Sequence, residues 1–119
     1  MHRAFLICPV RGHDPQEYAE LVATLEGRGW QIHYPPRDTD QEDDTGYRVC
    51  ADNRTAIEAA ERVFVVWSGE SQGVLFDMGM AFALRKPITI IGPLPRRTRG
   101  KSFLNMLREW AKGINPCAS

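Results

Sequence analysis

Three stretches of the chain carry apolar residues back to back instead of at every second position: AFLIC at 4–8, RVFVVW at 62–67 and PITIIG at 87–92. A strand with one face in water alternates apolar and polar residues, so strands without alternation have to be covered on both faces. Each run stops at a turn-forming residue (Pro9, Ser68, Gly92), and a fourth, WQIHY at 30–34, stops at Pro35-Pro36. Between them the apolar spacing is helical. Tyr18, Leu21, Val22 and Leu25 fall on one side of 15–26, with Asp14 placed as N-cap, Pro15 as first helical residue and Gly27 as stop. Val49, Ala56, Ile57 and Ala60 do the same over about 46–60, and Phe103, Leu104, Leu107 and Trp110 over 102–112; the segment 74–84 is apolar nearly all round. The order β-α-β-α-β-α-β-α with right-handed crossovers predicts a small doubly wound α/β fold, flavodoxin-like or Rossmann-like. It is a parallel sheet of four to five strands with helices on both faces.

Ligands of such folds bind outside the carboxyl ends of the strands. Here those ends are the loops CPVRGHD, YPPRDTDQEDD, WSGESQG and GPLPRRTRGK. A two-component receiver domain has a similar strand order, but it needs paired acids after the first strand and an aspartate ending the third. Cys8-Pro9 and Trp67-Ser68 stand there instead.

Composition narrows the function classes. At 119 residues a single domain over 1–119 is expected. Fifteen basic and fifteen acidic residues cancel, which gives no bulk pull toward nucleic acid or an anionic membrane. No apolar run approaches the roughly 20 residues of a membrane span, and MHRAFLICP is too short in its apolar part for a signal peptide. Cys8, Cys50 and Cys117 form no CxxC pair, and His2, His13 and His33 have no ligand spacing, so no metal and no cofactor is expected. A reduced, cytoplasmic setting follows. The acidic run DTDQEDD lacks the glycine and the closing glutamate of an EF-hand; it is expected to be a solvated loop that caps the next helix. RRTRGK is expected to be a mobile lid that reaches an anionic ligand.

One acid lies in the most apolar segment. Asp77, in SQGVLFDMGMAFALRKP, sits one turn inside a helix whose start faces the ligand crevice. An ionised carboxylate buried without partners is costly, so it has to be paired, protonated or functional. Gly73 and Gly79 flank it, and a glycine inside a helix costs about 1 kcal/mol against alanine. Two of them suggest that something approaches closely. At the other side of the crevice Arg11 and the amides of Arg11, Gly12 and His13 could receive an anion, at the positive start of the first helix. The dinucleotide and phosphate-loop glycine patterns are both absent.

With these residues the chain resembles the nucleoside 2-deoxyribosyltransferase family and its relatives that hydrolyse the N-glycosidic bond of nucleoside 5'-monophosphates. AFLICPVRG resembles the strand and loop that hold the sugar or its phosphate, which implies substrate roles for Cys8, Pro9, Arg11, Gly12 and His13. DNRTAIEAAERVFVVW resembles the helix and strand with a second active-site acid, and GVLFDMGMAFALRKPI the G-x-x-x-E-x-G-x-A-x-A-x-x-K-P signature that carries the nucleophile. The resemblance implies a carboxylate that attacks the anomeric carbon while an acid assists the departing base. Asp77 falls at the nucleophile, one methylene shorter than the usual glutamate. Asn53 falls at the second acid with Asp52 beside it, and Ser71, Gly73 and Gly79 frame the substrate. Two functions are therefore open: cleavage or exchange of a base on a nucleoside or nucleotide, or a catalytically weak relative that binds a nucleotide as a sensor or accessory module. A homodimer or larger homo-oligomer is expected, since the apolar helix has more surface than one small sheet covers.

Overall fold

The computed structural model describes residues 2–10 and 14–113. They form β1 (His2–Ile7), α1 (Ala19–Gly27), β2 (Trp30–His33), α2 (Pro35–Asp38), α3 (Tyr47–Ala59), β3 (Arg62–Val66), α4 (Gln72–Ala83), β4 (Ile88–Ile91) and α5 (Phe103–Ala111). The four strands are all parallel, in the order β2-β1-β3-β4. Phe5 stands opposite His33 on one side and Val63 on the other, and Val65 opposite Ile90. The expected doubly wound α/β arrangement is what these residues adopt.

Strand residues alternate between two cores, which is why the apolar runs are continuous. Phe5, Ile7, Val63, Val65 and Ile88 face Ile57 of α3, Val74, Met78 and Ala81 of α4, and Leu107 of α5. Ala4, Leu6, Cys8, Ile32 and Phe64 face Val22 and Leu25 of α1. Each large side chain fully withdrawn from water stabilises the fold by roughly 1.5–3 kcal/mol. Both faces therefore hold the sheet together. No helix among the described residues is long and apolar enough to cross a membrane.

Two local departures from the sequence reading have physical causes. The first helix begins at Ala19, because residues 15–18 form a turn in which the Gln16 amide donates to Asp14 Oδ1 at 2.9 Å. The buried Tyr34 holds that turn down through a hydrogen bond from its hydroxyl to the Pro15 carbonyl at 2.6 Å. Pro35-Pro36 ends β2 but also starts the short helix α2, whose Asp38 carboxylate accepts the Tyr34 amide at 2.8 Å. Arg37 then ties α2 to α1 through Glu26 and to the Ile32 carbonyl.

The acidic segment does cap the next helix. Asp43 accepts the Thr45 amide at 3.2 Å and the Val49 amide, inside α3, at 3.0 Å, and these backbone bonds hold its carboxyl below the usual range. Arg48 folds the same loop back by donating to the carbonyls of Asp40 and Glu42.

Candidate active site

The sheet's carboxyl rim brings together the end of β1, the first half of α3 and the start of α4. Helix α4 opens at Ser71, whose hydroxyl accepts the Val74 amide at 3.2 Å and acts as N-cap. Two turns of α4 then set Val74, Met78 and Ala81 onto the sheet. Asp77, three residues after Val74 and four before Ala81, falls on the flank of this buried stripe that turns toward α3.

Its neighbours are identified by their electrostatics. The Asp77 charge raises both the Cys8 thiol, just beyond β1, and the Cys50 thiol on α3. The carboxyl is thus lodged in the wedge between β1, α3 and α4. Burial pushes the Asp77 carboxyl up to about 7, with no hydrogen bond or opposite charge from the described residues to offset it. The side chain still keeps part of its surface open. Among the described residues this carboxyl meets apolar and thiol groups and no counter-ion. Cys8 is almost fully buried, and burial, with the Asp77 charge second, pushes its thiol up to about 12; it is a neutral wall. Pro9 beside it is buried too.

The other expected site residues divide. Asn53 is buried on the sheet side of α3, and its Oδ1 accepts the Thr39 hydroxyl at 2.8 Å. Thr39 Oγ1 in turn lies 2.7 Å from His33 Nε2. A hydroxyl that donates to Asn53 receives from His33, so the imidazole proton is on Nε2. His33 also stacks on Phe5, with ring centroids 5.3 Å apart and planes at 8°. Burial, the largest of its influences, lowers its pKa, which keeps the ring neutral. Asp52 points away from this network into solvent and pairs with Arg48 at 2.6 Å, one helical turn back. Asp52 and Asn53, adjacent in sequence, therefore turn to different sides of α3, although the Asp52 charge still reaches His33. Gly73 and Gly79 are exposed; a methyl added at Gly79 would meet no atom within 4 Å, and one at Gly73 only the Ser71 hydroxyl at 3.9 Å. No described residue makes use of their missing side chains. Arg11, Gly12 and His13 lie outside the described residues.

Sequence reasoning missed the His33–Thr39–Asn53 chain because it joins three elements. One signal was present: Asn53 lies four residues before the buried Ile57, on the same face of α3. It also missed a groove of about 450 Å³ between α3 and α4, walled by Tyr47, Cys50, Ala51, Arg54, Phe76 and Met80. Phe76 and Met80 flank Asp77 on α4, and Cys50 feels its charge, so groove and carboxyl are neighbours.

The profile of the nucleoside 2-deoxyribosyltransferase family matches residues 5–107, from the middle of β1 to the middle of α5. The chain belongs to the nucleoside 2-deoxyribosyltransferase family. Its structure is also similar to that of the Clostridium botulinum CMP N-glycosidase BcmB, at a TM-score of 0.56 and 19% identity. The match covers 92% of this chain and 80% of that one, and it is a likeness of fold. No curated protein matches the chain in sequence. Within the family, Asp77 stands on the helix that the sequence resemblance assigns to the nucleophile, while the amide of Asn53 stands where that resemblance expects an acid.

Proposed function

We propose that this protein breaks the N-glycosidic bond of a nucleoside or nucleoside 5'-monophosphate, with Asp77 as nucleophile. The observation that carries this reading is the buried Asp77 carboxyl beside the α3–α4 groove, with no partner among the described residues. A carboxylate already tied to an arginine would be a poor nucleophile; one stripped of partners is reactive once ionised. In the proposed step an Asp77 oxygen forms a bond to the anomeric carbon as the bond from that carbon to the base nitrogen breaks. The electron pair leaves with the base, which takes up a proton. Water, or a second base, then attacks the anomeric carbon and frees Asp77. Cys8, Pro9, Arg11, Gly12 and His13 would hold the sugar or its phosphate, and Ser71, Gly73 and Gly79 would leave room for it. The chemistry calls for no metal or cofactor.

A specific observation favours a second reading, a catalytically weak relative that binds a nucleotide as a sensor or accessory module. Asp52 is held by Arg48, and Asn53 has no proton to give at neutral pH, so neither supplies a ready acid for the leaving base. The two readings separate in one experiment. The protein is incubated with deoxynucleosides, ribonucleosides and their monophosphates, and free base is followed by chromatography. Base release that disappears in Asp77→Asn supports the enzyme; ligand-dependent thermal stabilisation without release by the wild type supports the binding module.

The homo-oligomer belongs to the same proposal. Phe76 and Phe82 are 55% and 56% exposed, and with Leu75 and the open Gly79 they give α4 a second apolar face that the described residues leave uncovered. A second copy would cover it beside each Asp77. Sedimentation showing a monomer at micromolar concentration would remove this part.

A further inference from the structure

From Met78 to Arg108 the chain contains seven basic residues and not one acid. Four of them, Arg96, Arg97, Arg99 and Lys101, fall within the segment between β4 and α5, and all four are exposed. None makes a hydrogen bond or ion pair with another described residue, in contrast to Arg37 and Arg48, which are fully engaged.

Hydrogen bonds anchor the segment to α5. Asn105, in the first turn of α5, reaches back to it three times. Its Nδ2 donates to the carbonyls of Thr98 at 2.7 Å and Gly100 at 2.6 Å, and its Oδ1 accepts the Thr98 amide at 3.2 Å. The Thr98 hydroxyl donates to Ser102 Oγ, which also caps α5 through the Asn105 amide, and the Arg108 guanidinium donates to the Pro95 carbonyl. Gly100, at φ +73°, takes the left-handed turn that closes the loop. The backbone of this segment is thus bonded inward and its four cations are exposed.

Its base stands at the carboxyl rim. Phe103, at the start of α5, stacks on Trp67 just beyond β3, with centroids 5.5 Å apart, and Trp67 precedes the Ser71 cap of α4 by four residues. Four permanent charges close together in a run without an acid repel one another unless an anion joins them; arginine forks suit phosphate oxygens in pairs.

We propose that residues 96–101 form a second anion site that binds a phosphate chain, so that nucleoside di- and triphosphates bind more tightly than monophosphates. The nucleotide part of this statement rests on the function proposed above; the phosphate-chain part does not. The ligand is compact rather than a polynucleotide. The far end of the rim, beyond the opposite edge strand β2, carries Asp38, Asp40, Glu42, Asp43 and Asp44, which would repel an extended polyanion lying across it.

The test is calorimetric titration with inorganic tripolyphosphate, which has no glycosidic bond, so its outcome is independent of any base-release activity. Wild-type protein is compared with Arg96→Gln/Arg97→Gln/Arg99→Gln and with a control of equal charge change, Arg3→Gln/Arg28→Gln/Arg85→Gln, whose sites are exposed elsewhere. The expected result is at least tenfold weaker binding in the arm variant, less than threefold weakening in the control, and weaker wild-type binding as salt rises. Equal affinity of wild type and arm variant, or equal loss in both variants, would overturn the proposal. So would tighter binding of a single-stranded oligonucleotide than of a nucleoside triphosphate.

Discussion

The hydroxyl of Thr39 donates to Asn53 Oδ1 at 2.8 Å and spans the gap between α2 and the inner face of α3, with both residues withdrawn from water. A buried amide oxygen that loses its donor bears the full cost of desolvation. Thr39→Val keeps the shape and removes the bond at both ends of the chain to His33. It is expected to destabilise the protein by about 1–3 kcal/mol, read from the urea midpoint at pH 7.5.

Protonation of His33 acts on the same network. Its folded pKa is lowered from the ordinary histidine value of 6.5, so the unfolded chain takes up the proton first. Stability is complete above pH 6.5 and is lost as pH falls from there through the lowered folded value. His33→Gln, which keeps a donor for Thr39, is expected to flatten this acid limb. An unchanged slope between pH 6.5 and 5 in chemical denaturation would argue against it.

Asp77 works in the opposite direction. Its carboxyl is raised from 3.8 to about 7, so the folded state prefers the neutral form. That preference stabilises the protein fully below pH 3.8 and is lost as pH rises through 7. Asp77→Asn is therefore expected to be indistinguishable from wild type near pH 4. At pH 8 it should be more stable, by on the order of 2 kcal/mol once the open part of the side chain is allowed for. A variant both inactive and more stable is the signature of a group kept for function. If Asp77 is the nucleophile, kcat/KM also rises with pH to a plateau above about 7, and a flat profile there counts against that role.

Asp43→Ala removes the acceptor of the Thr45 and Val49 amides at the start of α3. Because the folded carboxyl is held low, its contribution is present above pH 3.8 and lost as pH falls through the folded value. The variant is expected to melt at a lower temperature than wild type at pH 7, with the gap closing toward pH 3. Differential scanning calorimetry at the two pH values checks this.

The elements that sequence made legible are those whose burial is encoded locally. AFLIC and RVFVVW are strands because β-branched and aromatic residues crowd side by side, and Ile57 and Leu107 were placed inward by helical spacing alone. The start of α1 was not legible: Asp14 and Pro15 carry cap chemistry, yet they serve a turn that the distant Tyr34 hydroxyl fixes. Asp77 stood out because its environment is its own apolar helix. Asn53 did not, since a single polar residue on a helix face reveals its burial only when Thr39 arrives from another element. The basic segment was visible as charge, but its anchoring depends on Asn105, seven residues beyond Thr98.

The Thr39 hydroxyl is indifferent to which side chain supplies the oxygen it meets. Aspartate presents the same oxygen in the same place as asparagine, and the two codons differ by one nucleotide. Position 53 is thus one mutational step from a carboxylic acid, with its shape, rotamer and donor already provided. A chain with this network can gain or shed an acid on the inner face of α3 while keeping the hydroxyl that holds it.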